Sequence, residues 1–380
     1  MLPVAAPLRR GKLGRRLVAR QLHPGARSLS RELDLTLATQ TAIVRVVCVL
    51  VIMHGTDGGR TCLANARTVL GDVPAEQLGF TLPHEHIVVS YAAARYEAEH
   101  YDAQALADEA CRELEPAVRA YGIRTIVDAG PSDLGRDVQM QREVSRRLGA
   151  HVIAATGFYK ADGGIPFFWR YAELDEIEGH LVSEIEKGVG MERVRCGVIK
   201  VASSGATITP VEEKVFRAAA RASKRTGAPI ITHTDRAAWA DTNVGLAQLG
   251  LLLSEGLDPS RVMIGHACGS ADVAQLLAIA QLGGSVGIDR VGSQRVISDA
   301  SRVEMVKRLS EAGYVRQVML SMDHEAVWFP HRLAVIAAEG KHYSHLHQMF
   351  LPKLRMAGVS DADVEQMTVG NPRGFLTLDP

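Results

Sequence analysis

From Gly79 to the C-terminus the sequence repeats one pattern: a short apolar, β-branched run, a polar loop, then a longer stretch with helical periodicity. The candidate strands are GFTLPHEH (79–86), IRTIVDAG (123–130), HVIAATGF (151–158), GVIKVAS (197–203), PIITHT (229–234), RVMIGHA (261–267), GSVGIDR (284–290) and QVMLSMD (317–323). Helical patterns such as DAQALADEACRELEPAVRAYG, TPVEEKVFRAAARASKRTG and ADVAQLLAIAQLGG lie between them. The second of these opens with Thr209 and Pro210 ahead of Glu212 and Glu213 and stops at Gly227, the start and stop signals of a helix. Near-continuous apolar strands belong to a parallel sheet covered on both faces. Eight such units predict an α/β fold of the (β/α)8 TIM-barrel type, with a doubly wound open sheet as the alternative.

The polar residues choose between the two. The strands carry them at the same end: His84 and His86, Tyr159 just past the third run, Lys200, His233, His266, Arg290 and Asp323. A closed barrel brings all these ends to one mouth, whereas an open sheet leaves the first and eighth strands far apart. Within GFTLPHEHIVVSY, residues i and i+2 of a strand point to the same side, so His84 and His86 converge as metal ligands must; on a helix they would diverge. Four imidazoles and a carboxylate exceed the three protein ligands of a catalytic zinc, so two metal ions are expected. Ions about 3.5 to 4 Å apart need a bridge. Lys200 is the candidate, because a buried, neutral amine can take up carbon dioxide and become an anionic carbamate with two oxygens. The competing role for Lys200 is structural, paired with an acid.

The order His-x-His, Lys, His, His, Asp, together with GFTLPHEH, TIVDAGPSDLGRD, ATGFY, GVIKVASS, GAPIITHTD, SRVMIGHACGSADV, GIDRVG and VGNPRGFL, resembles the phosphotriesterase family of the amidohydrolase superfamily. The similarity runs from about Thr68 to the C-terminus. It implies that His84, His86 and Asp323 hold the more buried ion, that His233 and His266 hold the more exposed one, and that carbamylated Lys200 and a hydroxide bridge the two. Zinc is the expected metal, with cobalt, manganese or iron as alternatives. The catalytic candidates are Asp323 as proton acceptor, Lys200 and Tyr159; the substrate contacts are Tyr159, Arg290 and Trp328. Tyr159 and Arg290 are similar to residues of the phosphotriesterase-like lactonases, which implies lactone opening with promiscuous phosphotriester hydrolysis. A dedicated phosphotriesterase or a carboxylesterase is the second reading, and a metal-stabilised barrel that binds a ligand without turnover is the third. The loop after Asp323 is expected to cover the site, but His324 and Glu325 depart from the lactonase pattern of small residues and cysteines.

Composition narrows the partners. With 43 basic against 43 acidic residues there is no field to attract nucleic acid or an anionic membrane, so a small molecule is the expected partner. The five cysteines, Cys48, Cys62, Cys111, Cys196 and Cys268, form no C-x-x-C pair and suit a reducing, cytoplasmic setting. Residues 1–67 form an extension outside the resemblance, arginine-rich to Arg31 and followed by AIVRVVCVLVIM. That run is interrupted by Arg45 and falls short of the roughly 20 residues that span a bilayer, so the extension is read as disordered or a mis-assigned start, with a transit peptide as the other reading, the working start near Met53 and the barrel at 68–380. The family resemblance also implies a homodimer. His342, His345 and His347 in KHYSHLH invite a third metal site, Cys268 a nucleophile; both are set aside in favour of structural roles.

Overall fold

A computed structural model describes residues 64–90, 101–235, 244–270, 272–295, 297–331 and 340–378. The extension and its expected start near Met53 lie outside the described residues, as does much of the loop after Asp323. The parallel strands are β1 (Phe80–Val89), β2 (Ile123–Asp128), β3 (His151–Gly157), β4 (Val198–Ser203), β5 (Ile230–Thr234), β6 (Val262–Ile264), β7 (Ser285–Ile288), β8 (Val318–Leu320) and β9 (Glu325–Trp328). They pair in the order β8-β7-β6-β5-β4-β3-β2-β1-β9. The two edges of that sheet belong to one stretch of chain: β8 pairs with β7, and five residues later β9 pairs with β1. Between them Asp323 donates its N–H to the His84 carbonyl at 3.1 Å. A sheet whose last strand passes from one edge to the other is closed, and the fold is the (β/α)8 barrel.

Helices α1 (Ala103–Tyr121), α2 (Val138–Leu148), α3 (Leu174–Glu186), α4 (Pro210–Thr226), α5 (Val244–Ser254), α6 (Val273–Gln281) and α7 (Asp299–Glu311) separate successive strands. Their ends follow the punctuation in the sequence. Asp102 caps α1 through its carboxylate, Thr209 and Glu212 form a reciprocal capping box on α4, and Gly122 and Gly227 end the two helices in the left-handed region. Leu114, Val144, Leu181, Phe216, Leu249, Leu276 and Met305 pack on the outward strand residues Ile126, Val152, Ile199, Ile230, Ile264 and Val286. The opposite parity fills the barrel. Val127, Ile153, Val198, Ile231, Met263 and Met319 form an inner cluster with Leu78, Phe375 and Leu376. Period-two alternation then places Lys200, two after Val198, and His233, two after Ile231, on the inward face.

Several strand limits differ from the sequence pattern, among them β7, which stops at Ile288 and leaves Arg290 beyond it. β1 runs to Val89; β6 stops at Ile264, so that His266 lies beyond it at φ 58; and β8 stops at Leu320, so that Asp323 lies in an irregular link at φ 50. In β6 the inward parity falls on Met263 and Gly265, and an extended backbone would aim His266 outward; the left-handed turn redirects it. Close strand approach also dictates one glycine. A Cβ on Gly157, at φ +111, would lie 1.9 Å from the Lys200 carbonyl oxygen. Gly157→Ala therefore should cost at least about 2 kcal/mol and several degrees in Tm; an unchanged melting curve would show that β3 and β4 part without cost.

Candidate metal centre

The six residues His84, His86, Lys200, His233, His266 and Asp323 meet at the carboxyl-terminal mouth of the barrel. All but Asp323 are buried, and its carboxylate is largely so. Lys200 Nζ lies 2.6 Å from His84 Nε2, and His233 Nδ1 lies 2.9 Å from His266 Nε2. Asp323 closes the ring: Oδ1 is 3.2 Å from His86 Nε2 and 3.7 Å from His84 Nε2, and Oδ2 is 3.6 Å from His266 Nε2.

Tautomers follow from the next layer. Asp289, just past β7, sits 2.6 Å from His84 Nδ1 and 3.0 Å from His266 Nδ1, and also accepts the His266 N–H. Burial opposes its charge, yet the His266 and His84 imidazoles outweigh that cost and hold the carboxyl far below the usual range. An ionised acceptor on each Nδ1 leaves the Nε2 atoms as bare lone pairs aimed at the centre. Burial, the largest cause for both, drives His84 down to about 3 and lowers His233 well below its ordinary value, so both imidazoles are neutral. Asp323 is driven the other way: burial disfavours its charge, but His266 and Arg290 keep it ionised. Neutral imidazole lone pairs and a carboxylate facing one another, with nothing apolar between them, are the donor set of transition-metal sites, and they fit divalent cations. His84, His86 and Asp323 form one group able to hold an ion. A second group of matching spacing, His84, His266 and Asp289, reads differently, because the Asp289 oxygens are already engaged by the Nδ1 edges.

Lys200 is fully buried, and burial, opposed by Asp323 and Asp289, lowers its pKa to about 8. Tyr159 points its hydroxyl to within 3.4 Å of His233 Nε2, with the rings edge to face. Arg290 Nε lies 3.1 Å from Asp323 Oδ2, so its pairing is with the centre itself. Trp328 stands with Val89, Leu134 and Tyr159 as an apolar wall. Together with Ser293, Arg295, Glu325 and Lys341 these residues enclose a cavity of about 170 Å³ open to the centre.

Sequence reasoning overlooked four buried acids. Asp289 could have been found from parity, since Val286 and Ile288 face outward and Asp289 shares the inward side with Gly287. Asp128 lies 3.8 Å from His86 Nδ1 and is held by Gln141 Nε2 at 2.8 Å. Asp133 accepts the Tyr159 N–H at 2.9 and 3.0 Å, fixing the loop that carries the phenol. Glu85, between the two histidines, has no signal in the sequence beyond its position. Of the features set aside, Cys268 is buried, which raises its thiol pKa. His345 bonds Asp299 at 3.0 Å, and His347 packs its ring on Phe80 and Tyr121.

Residues 64–376 match the Phosphotriesterase family. The chain belongs to the phosphotriesterase family. It is 34% identical over 299 residues to the phosphotriesterase homology protein of Escherichia coli, covering 78% of this chain and 97% of that protein. It is 34% identical over 253 residues to the aryldialkylphosphatase of Saccharolobus solfataricus, covering 66% of this chain and 79% of that enzyme. Among solved structures, a mutant of the PTE-like lactonase of Deinococcus radiodurans superposes with a TM-score of 0.76 at 36% identity, covering 82% of this chain and 99% of that one. This phosphotriesterase-family chain is accordingly a metal-dependent hydrolase, which sets aside the barrel without turnover. Among the described residues no helix is long and apolar enough to cross a membrane.

Replacing Asp289 by asparagine removes the anionic acceptor from two imidazoles at once. Metal affinity, measured by chelator competition, should fall by roughly 10- to 100-fold. Affinity equal to that of the unchanged protein would limit Asp289 to a packing role.

Proposed function

We propose that this chain opens lactones, with phosphotriester hydrolysis as a side activity. In this reading His84, His86 and Asp323 would hold one divalent ion and His233 and His266 the other, with Lys200, as its carbamate, donating to both. Two divalent cations supply a water acidified toward neutrality and a polarised C=O or P=O. The protein's own part is to arrange the reactants. The Lys200 amine, 2.6 Å from His84 Nε2, would add to carbon dioxide with loss of a proton and so supply two carboxylate oxygens at the centre. Asp323, kept ionised by its neighbours, receives the proton of the attacking water. Trp328, Val89 and Leu134 give the ring an apolar surface that excludes bulk water on one side.

The observation that carries the lactone reading is the Tyr159 hydroxyl, 3.4 Å from His233 Nε2 and facing the cavity. A lactone carbonyl is planar and becomes tetrahedral on attack, so a donor beside it gains strength as the oxyanion develops. A phosphotriester is tetrahedral from the start and depends less on that donor. The phosphotriesterase reading has its own support in the relationship to an aryldialkylphosphatase, so the two are separated by a substrate panel. The protein should prefer at least one lactone to paraoxon by on the order of tenfold in kcat/KM, about 1.4 kcal/mol, and Tyr159→Phe should reduce lactone turnover more than paraoxon turnover. Faster turnover of paraoxon than of every lactone would give the site to phosphotriesters.

Elemental analysis should find close to two transition-metal ions per chain, zinc in the first instance. Lys200→Ala should lose metal, and short carboxylic acids should restore part of it by supplying the missing oxygens. Occupancy equal to that of the unchanged protein would remove the bridge from the reading. A homodimer and a cytoplasmic location belong to the same reading. The first is supported by the exposed Phe167, Phe168 and Tyr171, the second by Cys111, Cys196 and Cys268, which are free and buried.

A further inference from the structure

The residue between the two histidines of β1 faces away from them. Glu85 is fully buried. Its Oε1 accepts from Ser321 Oγ at 2.7 Å and from the Met322 N–H at 2.8 Å, and its Oε2 accepts from the His324 N–H at 2.8 Å. From the other side Lys341 Nζ donates to the Met322 carbonyl at 3.0 Å and to the Asp323 carbonyl at 2.9 Å. One acid therefore holds the N–H groups on both sides of Asp323, and one base holds the carbonyls before it and of it. Asp323 itself is at φ 50, where only a closely held backbone keeps a residue with a side chain.

We propose that Glu85 and Lys341 are positioning residues: acting on opposite edges of the 321–324 link, they fix the Asp323 carboxylate toward His84 and His86 and so set the affinity of the cation held there. The proposal rests on the metal reading above. It gives the two residues separate duties from the ligands, because neither points a side-chain atom at the imidazoles. Both act through the bonds they make to the link. A glutamine at 85 keeps the size but turns an N–H₂ toward a donor, leaving one of three donors unmatched. A methionine at 341 follows the path of the lysine without any donor, whereas an arginine can still reach two carbonyls. Lys341 is half-buried at the cavity wall, so its replacement opens no void in the core.

The test is a Co²⁺ titration of the metal-stripped full chain, followed by visible absorption and chelator competition, with the melting curve of the metal-free protein recorded alongside. The unchanged chain should bind two ions. Lys341→Met should weaken one of them by on the order of tenfold or more, change its absorption band, and leave the other ion within about twofold. Lys341→Arg should restore most of the loss, and Glu85→Gln should weaken the same ion. The proposal is overturned if Lys341→Met binds both ions normally, if both weaken together in step with a lower metal-free Tm, or if Lys341→Arg restores nothing. An unchanged chain that binds fewer than two ions refutes the metal reading itself, and does so before any variant is compared.

Discussion

Backbone N–H and C=O groups withdrawn from water must find partners, and the barrel is hardest to satisfy where its last strand stops pairing with one neighbour before it starts pairing with the other. That place is the link 321–324 between β8 and β9. Regular pairing cannot serve it, because the link crosses from β7 to β1. Single backbone bonds, from the Ser321 N–H to the Ile288 carbonyl, the Asp323 N–H to the His84 carbonyl and the His86 N–H to the His324 carbonyl, serve part of it, and side chains take the rest. Glu85 takes the Met322 and His324 N–H groups, Lys341 takes the Met322 and Asp323 carbonyls, and the Tyr343 hydroxyl donates to the carbonyls of His324 and His86. The irregularity has a use. A link free of the ladder can adopt the left-handed φ that carries the Asp323 carboxylate to His86, within 3.2 Å, while still joining the strands that close the barrel.

Burial then does the electrostatic work. Inside the barrel desolvation favours the neutral forms of His84, His233, His266 and Lys200. The carboxylates survive as anions because imidazoles and Arg290 surround them. The outcome is a pocket of lone pairs and negative charge within a largely apolar shell. Without cations these groups cost folding free energy, since each is removed from water and faces others of the same kind. Ion binding therefore contributes directly to the stability of the folded chain.

Much of this was legible in the residue pattern, and the parts that were not share one cause. The strand runs, Lys200 after Val198 and His233 after Ile231 follow from period-two alternation, which a regular strand obeys. His266 and Asp323 are read from the pattern as strand-end residues, whereas both lie beyond their strands with left-handed φ, where alternation ends. Asp289 and Glu85 belong to the layer behind the ligands. No spacing rule marks such residues, because their role depends on which chain segment the closed barrel brings against them: Glu85 meets a segment more than 230 residues away.

The same separation bears on substrate choice. The groups that face the centre are on β1, β4, β5 and the links after β6 and β8, all fixed by the barrel. Part of the cavity wall comes from loops, with Tyr159 after β3 and Arg290, Ser293 and Arg295 after β7, whereas Glu325 and Trp328 belong to β9, the strand that closes the barrel. Loops can change without disturbing closure, so one centre can serve different esters in different relatives. Here one wall is apolar, with Val89, Leu134 and Trp328, and the other carries Glu325, Arg290, Arg295 and Lys341. A substrate that fills about 170 Å³ between such walls needs an apolar side and a polar side. Glu325, which with His324 departs from the lactonase pattern, thus lies in the pocket wall and apart from the six residues that meet at the mouth.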